Sequence, residues 1–105
     1  WDWGIPTAAS IVYAVRCHLT VIATGGIRTG LDVARAIALG ATAAGIARPV
    51  LQAYIGQGKA AAEAYLDQVL KELNTVMLLC GTRSVAELQR APYLVTGELR
   101  RWMQC

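Results

Sequence analysis

The first sustained pattern along the chain is helical. Ile11, Val12 and Val15 fall on one face of residues 8–15, which predicts a short amphipathic helix. Ahead of it, Gly4 and Pro6 break regular structure, Pro6 biases Ile5 toward an extended conformation, and Thr7 is the expected N-cap. Arg16-Cys17-His18 closes the helix, with positive charge where the helix dipole favours it. The pattern then changes. Residues 19–24 are apolar without alternation, which predicts a strand buried on both faces, as in a parallel sheet. Helical spacing returns over residues 31–39, with Asp32 at the electropositive end and Gly40 as the C′ residue. Residues 41–47 read as a second strand, short and small-sided. Strand, helix and strand follow so closely that the unit is a compact right-handed βαβ motif.

Residues 49–58 read either as irregular or as a short extra helix, with Gly56 and Gly58 marking a break. The longest predicted helix covers residues 59–80. Its apolar stripe is Ala62, Leu66, Val69, Leu70, Leu73, Val76, Met77 and Cys80. Asp67 and Lys71 are spaced as an i,i+4 ion pair worth a few tenths of a kcal/mol, and Glu63, Asp67 and Glu72 read as a solvated face. Gly81 caps the end. Ser84-Val85-Ala86-Glu87 is a capping box that opens a short helix to Arg90, which Pro92 stops. Residues 93–97 are extended, and 98–103 add one more helical turn.

Two parallel strands with four or five helices make an α/β chain, yet two strands alone do not form a stable sheet and leave both edges open. The economical architecture is the last quarter or third of a TIM (β/α)8 barrel, a fold of roughly 250 residues. Residues 1–105 are then the C-terminal fragment of one barrel domain, incomplete as a barrel on its own. Composition sharpens this. The chain is 55% hydrophobic and 16% charged, which excludes disorder. A chain of this length buries only about two-thirds of its unfolded surface, so part of its apolar surface is expected to pack against further chain. The opening Trp1-Asp2-Trp3-Gly4 has neither an initiator Met nor signal-peptide character, which also points to a cut into a longer chain. No apolar run approaches the roughly 20 residues of a membrane span, so no membrane partner is expected. The net charge of +3 is spread over isolated arginines, with only Arg100 and Arg101 adjacent. Without a basic stripe or a stacking platform, no nucleic-acid partner is expected. Cys17, Cys80 and Cys105 lack metal-ligand spacing, and such an odd, dispersed set fits buried thiols in a reducing cytoplasm.

Candidate chemistry concentrates in residues 20–32, Thr-Val-Ile-Ala-Thr-Gly-Gly-Ile-Arg-Thr-Gly-Leu-Asp, where a buried strand ends in two glycines and an arginine before a helix begins. A weaker copy, Ala-Thr-Ala-Ala-Gly-Ile-Ala-Arg-Pro, occupies residues 41–49. Backbone N–H groups reach a phosphate only where side chains do not obstruct them. Gly25, Gly26, Ile27 and Arg28 are expected to form one wall of an anion cradle, and Ala47 and Arg48 the other, with the segment after Pro49 as the extra helix. The plainer reading of Gly25-Gly26 is a tight turn, but the two half-sites reinforce one another. Neither is a Walker A loop or a GxGxxG dinucleotide motif. His18 reads as a surface or structural residue on the N-terminal side of the barrel, and Asp32 as a helix-start residue rather than a catalytic acid. Cys17 is the only thiol with basic neighbours, and no reactive cysteine is expected. Trp1, Trp3 and Trp102 read as packing residues or interface anchors. No catalytic residue and no metal ligand is assigned.

Residues 24–34 (TGGIRTGLDVA), with Ala38-Leu39-Gly40-Ala41 and Gly45-Ile46-Ala47-Arg48-Pro49, resemble the FMN-phosphate loops of flavin-dependent barrels. The preceding Trp3-Gly4-Ile5-Pro6-Thr7-Ala8 narrows the resemblance to type 2 isopentenyl diphosphate isomerase, and residues 95–102 (VTGELRRW) resemble that family's C-terminus. GGxRxG alone is shared with hydroxy-acid oxidases and glutamate synthases. Its combination with WGIPT is much more specific, and the resemblance covers essentially the whole chain.

The resemblance implies a cytoplasmic isoprenoid enzyme, homo-oligomeric when complete, that interconverts isopentenyl and dimethylallyl diphosphate. It implies FMN kept reduced by NAD(P)H, with NADPH and Mg²⁺ sites outside this chain, and a reduced flavin that transfers a proton without net redox change. Carried over, Gly26, Ile27, Arg28, Ala47 and Arg48 hold the FMN phosphate, Gly25 shapes the turn, and Trp3 lies near the substrate mouth. Ala47, where the oxidases have Gly, follows the isomerase pattern. The family's diphosphate-binding Arg-Lys pair, substrate-site His and Gln, metal-binding Glu, and flavin-contacting Lys and Thr have no match here. The chain is therefore expected to carry a cofactor half-site without a complete active site. Other readings are a truncated or split-barrel chain inactive alone, a part of a hydroxy-acid oxidase, and a flavin-free phosphate-binding barrel of the inosine monophosphate dehydrogenase kind.

Overall fold

Helix α1 spans Thr7–Arg16 in the computed structural model, which describes residues 4–103. The readings of Trp1, Trp3 and Cys105 lie outside the described residues. Ile11 and Val12 bury the α1 stripe as its pattern predicts. The helix start differs from expectation. Pro6 stands at the N-cap position and, among the described residues, no side chain caps the helix; Thr7 is already helical and donates its hydroxyl to the Gly25 carbonyl at 2.9 Å. The helix ends in a left-handed turn at His18 (φ 60°), whose N–H donates to the Val15 carbonyl.

Strands β1 (Ile22–Ala23) and β2 (Ala43–Ala44) pair in parallel, Ile22 opposite Ala43 and Ala23 opposite Ala44. The Thr42 N–H to Val21 bond (2.9 Å) and the Gly45 N–H to Ala23 bond (2.7 Å) extend the ladder by one rung at each end. Both strands are shorter than expected, and β1 is not buried on both faces. Ala23 is 2% exposed and shares a core with Val33, Ala34 and Ile37, whereas Ile22 is 69% exposed. Strand side chains alternate between faces, and among the described residues nothing covers the Ile22 face. An apolar run without alternation is written for a sheet covered on both sides.

Between the strands, α2 (Gly30–Ala38) opens with a capping box. The Asp32 N–H donates to Thr29 Oγ1 at 3.2 Å, and the Thr29 N–H to Asp32 Oδ2 at 3.3 Å. It closes in a Schellman motif, with Gly40 at φ 115° and N–H bonds from Ala41 to Ala36 and from Gly40 to Ile37. The segment left open as irregular or helical is a helix, α3 (Arg48–Gln57), with Pro49 in its first turn, where a missing N–H costs nothing. Gly58 (φ 88°) separates it from α4 (Lys59–Leu79). Helix α4 packs on α2 and α3 together.

Three expectations for α4 need correction, and one for the cysteines. Val69 is buried and Leu73, Val76 and Met77 are half-buried against the core, but Leu66, Leu70 and Cys80 are exposed. Their edge of the stripe has no partner element among the described residues. The helical ion pair is Lys59 with Glu63 at 3.8 Å rather than Asp67 with Lys71. Glu72 is not on the solvated face; it is half-buried and accepts the Gly30 N–H at 3.5 Å. Cys17 and Cys80 are exposed free thiols, not buried ones, because each lies just past a helix end.

The chain continues through α5 (Val85–Gln89), which inserts Leu88 into the core, and α6 (Leu99–Met103), which packs on α1. Ser84 caps α5 by accepting the Glu87 N–H, while the Glu87 carboxylate accepts the Arg83 N–H, one residue before the expected partner. Trp102 is half-buried in α6, and its carbonyl accepts the Tyr13 hydroxyl.

Candidate functional site

Parallel pairing in register delivers the loops after β1 and β2 side by side. Between them lies a cleft of about 380 Å³ lined by Thr24, Gly25, Gly26, Ile27 and Arg28 from one loop and by Gly45, Ala47, Arg48 and Pro49 from the other. Gly25, Gly26, Ile27, Arg28, Ala47 and Arg48, singled out in the sequence, thus converge on one cavity.

The loops have the conformations that exposed N–H groups require. Gly25 and Gly26 take φ of 97° and 80°, a left-handed pair that L side chains rarely adopt. Among the described residues no hydrogen bond takes the N–H of Gly26 or Ile27. Across the cleft, the first intrahelical bond of α3 runs from the Leu51 N–H to Ala47, so the N–H groups of Arg48 and Val50 have no helical acceptor. The positive end of the α3 dipole adds to them.

Arg28 contributes differently from its neighbours. Its N–H donates to Asp32 Oδ2 at 3.1 Å, and its carbonyl accepts the Tyr65 hydroxyl. The backbone of residue 28 is therefore occupied, and its guanidinium is the group left for a ligand. Arg28 and Arg48 are exposed, and the described ion pairs, Arg35–Asp32 and Lys59–Glu63, involve neither. Both also line an adjoining cleft of about 330 Å³ with Pro49, Gln52 and Tyr65. Two arginines lining one cleft with unbonded backbone donors suit a phosphate.

Thr7 and Tyr65 are the residues that sequence reasoning missed. Both reach the glycine loop from distant elements, and no local signal announces such a contact. Thr29, the cap of α2, was also missed; its spacing to Asp32 is the local signal that could have found it. His18 is exposed in the turn between α1 and β1 and does not line the cleft. Among the described residues no group of three or more His, Cys, Asp and Glu side chains is placed to hold a metal, and no helix is long and apolar enough to cross a membrane.

Comparison with known proteins adds the family. The profile described as FMN-dependent dehydrogenase matches residues 4–95. The chain belongs to that family. Within it, the chain is 47% identical over 103 residues to the isopentenyl-diphosphate delta-isomerase of Halobacterium salinarum, covering 98% of this chain and 28% of the relative. It is 44% identical over 107 residues to the isomerase of that name from Methanopyrus kandleri, covering 99% and 29%. The chain thus spans about three tenths of the length of these relatives.

Solved structures resemble it too. A mandelate oxidase mutant bearing a monooxide FMN adduct superposes with a TM-score of 0.80 at 33% identity, covering 91% of this chain and 32% of that one. Mandelate oxidase with benzoyl-formic acid gives 0.76 at 35% identity, covering 88% and 28%. The fold of this FMN-dependent dehydrogenase family member is accordingly a portion of a TIM barrel.

Proposed function

We propose that this chain holds the phosphate end of FMN within a flavin-dependent isopentenyl-diphosphate isomerase. The carrying observation is the convergence of Gly25, Gly26, Ile27, Arg28, Ala47 and Arg48 on one cleft with free N–H donors and two guanidinium groups. These residues fit a phosphate monoester. Gly25 and Gly26 make the turn. The N–H groups of Gly26 and Ile27 and the first turn of α3 donate to the phosphate oxygens. The methyl group of Ala47 leaves the approach to α3 open, and Arg28 and Arg48 supply charge. Orientation of the cofactor follows, because a phosphate fixed at its tail limits where the rest of the molecule lies.

Reduced FMN supplies the proton-transfer chemistry, which interconverts isopentenyl and dimethylallyl diphosphate without net oxidation. In this reading NADPH keeps the flavin reduced and Mg²⁺ accompanies the diphosphate, both at residues beyond this chain. The chain is one part of a single barrel domain in a cytoplasmic homo-oligomer. The isomerase reading is favoured over a hydroxy-acid oxidase by the 44–47% identity to the two isomerases against 33–35% to the two mandelate oxidases.

The test uses the full-length protein. Isomerisation of isopentenyl diphosphate that depends on reduced FMN is expected; flavin-dependent oxidation of mandelate, lactate or glycolate without isomerisation would overturn the reading. Arg28→Ala and Arg48→Ala should each weaken FMN about tenfold or more, the range for hydrogen bonds to a charged group, and leave riboflavin, which lacks the phosphate, unaffected. Flavin fluorescence titration measures both.

A further inference from the structure

Helix α4 meets the glycine loop along one face. Tyr65, Val69 and Glu72 follow one another at i, i+4 and i+7, a spacing that aligns them. The Tyr65 hydroxyl donates to the Arg28 carbonyl, Val69 is buried in the core, and Glu72 accepts the Gly30 N–H. From the other side, Asp32 Oδ2 accepts the Arg28 N–H at 3.1 Å. Both peptide groups flanking the Arg28 side chain are thus tied, one to α4 and one to α2. Tyr65 also lines the 330 Å³ cleft in which Arg28 and Arg48 meet Gln52.

We propose that Tyr65 is a positioning residue of the phosphate site, holding the Arg28 backbone so that the Arg28 and Arg48 guanidinium groups address the same anion. The proposal rests on reading the neighbouring cleft as the FMN-phosphate site. An arginine side chain has many rotamers to lose on binding. Anchoring its backbone on both sides limits the directions it samples before the ligand arrives, which is preorganisation. Tyr65 need not touch the cofactor for this, and its effect runs through Arg28 alone.

The experiment is a double-mutant cycle in the full-length protein, with FMN and riboflavin dissociation constants as readout. Tyr65→Phe keeps the ring and removes the donor. It should weaken FMN about three- to tenfold, the range for one neutral hydrogen bond, and leave riboflavin unchanged. Added to Arg28→Ala, it should have no further effect, since the group it positions is gone. Equal weakening of FMN and riboflavin by Tyr65→Phe, no weakening of FMN, or full additivity with Arg28→Ala would overturn the proposal, because a purely structural role gives those results. If Tyr65→Phe does not fold, Asp32→Asn loosens the same anchor from the N–H side, and the same cycle decides. The phosphate reading is judged separately. If Arg28→Ala and Arg48→Ala leave the preference for FMN over riboflavin intact, that reading falls and the role of Tyr65 falls with it.

Discussion

Gly30 and Gly26 are four residues apart, and glycine serves a different purpose at each. A Cβ on Gly30 would lie 2.4 Å from Glu72 Cβ, from the Leu73 nitrogen and from the Val69 carbonyl oxygen, so the start of α2 rests directly on the α4 backbone. Gly30→Ala must push two helices apart, and a loss of about 1–3 kcal/mol is expected, as for other overpacked sites. Urea unfolding of the full-length protein checks it. A Cβ on Gly26 meets nothing within 4 Å, but its φ is 80°. Gly26→Ala should cost about 1–2 kcal/mol from backbone strain alone, and Gly26→Asn, which tolerates that conformation, distinctly less; the two unfolding curves separate strain from crowding. The sequence announced Gly26 as a turn glycine through its partner Gly25 and the strand before it. It could not announce Gly30, because the atoms that exclude a side chain there belong to residues 69–73, some forty positions away.

Several helix boundaries carry a local signal, and those at Gly40, Gly81 and Ser84 were legible, whereas Thr29 was not read. The Schellman endings at Gly40 and Gly81 and the caps at Thr29 and Ser84 are set by residues within one turn of where they act. Thr29→Ala and Ser84→Ala should each lower stability by about 1 kcal/mol. Gly40→Ala should cost more, because its φ is 115° and the new methyl would meet the Val15 side chain at 2.9 Å. Melting temperatures of the three variants, ranked, test that order. Thr7 was misread as an N-cap because its type and position fit one, while its hydroxyl turns to Gly25 eighteen residues on. The strand lengths were misread for a related reason. An apolar run marks burial, and pairing depends on a neighbour that one strand's sequence does not describe.

The molecule as a whole has apolar surface that its own elements leave bare. Leu19, Ile22, Leu70, Leu79 and Leu94 are all more than half exposed, and among the described residues the sheet has two strands. A core does form, from Ile11, Ala23, Ile27, Val33, Ile37, Val69 and Leu88, and it suffices to bring the two loops together. The 105-residue chain alone is expected to bind a hydrophobic dye and to self-associate through these faces. Light scattering and dye fluorescence measure this, and a dye-silent monomer unfolding cooperatively would contradict it. The α/β class and the pairing of the two glycine-and-arginine loops were legible at this scale, since both follow from periodicity and glycine placement. The bare Leu66–Leu70 edge was not, because a helical stripe says which side chains are apolar and not how wide a partner meets them.

The face that joins α4 to the glycine loop has a consequence for chain length. An α-helix turns about 100° per residue, so one residue inserted between Tyr65 and Glu72 would swing one away from its target while the other kept its place. Either the Arg28 carbonyl or the Gly30 N–H would then lose its partner. Residues 66–71 should therefore tolerate substitution on their exposed side but no change in number. The break at Gly58 and the turn after Cys80 have no such constraint, and indels in this part of the barrel are expected to collect there. Scanning single-residue insertions along residues 56–84 and scoring FMN retention would draw that boundary directly.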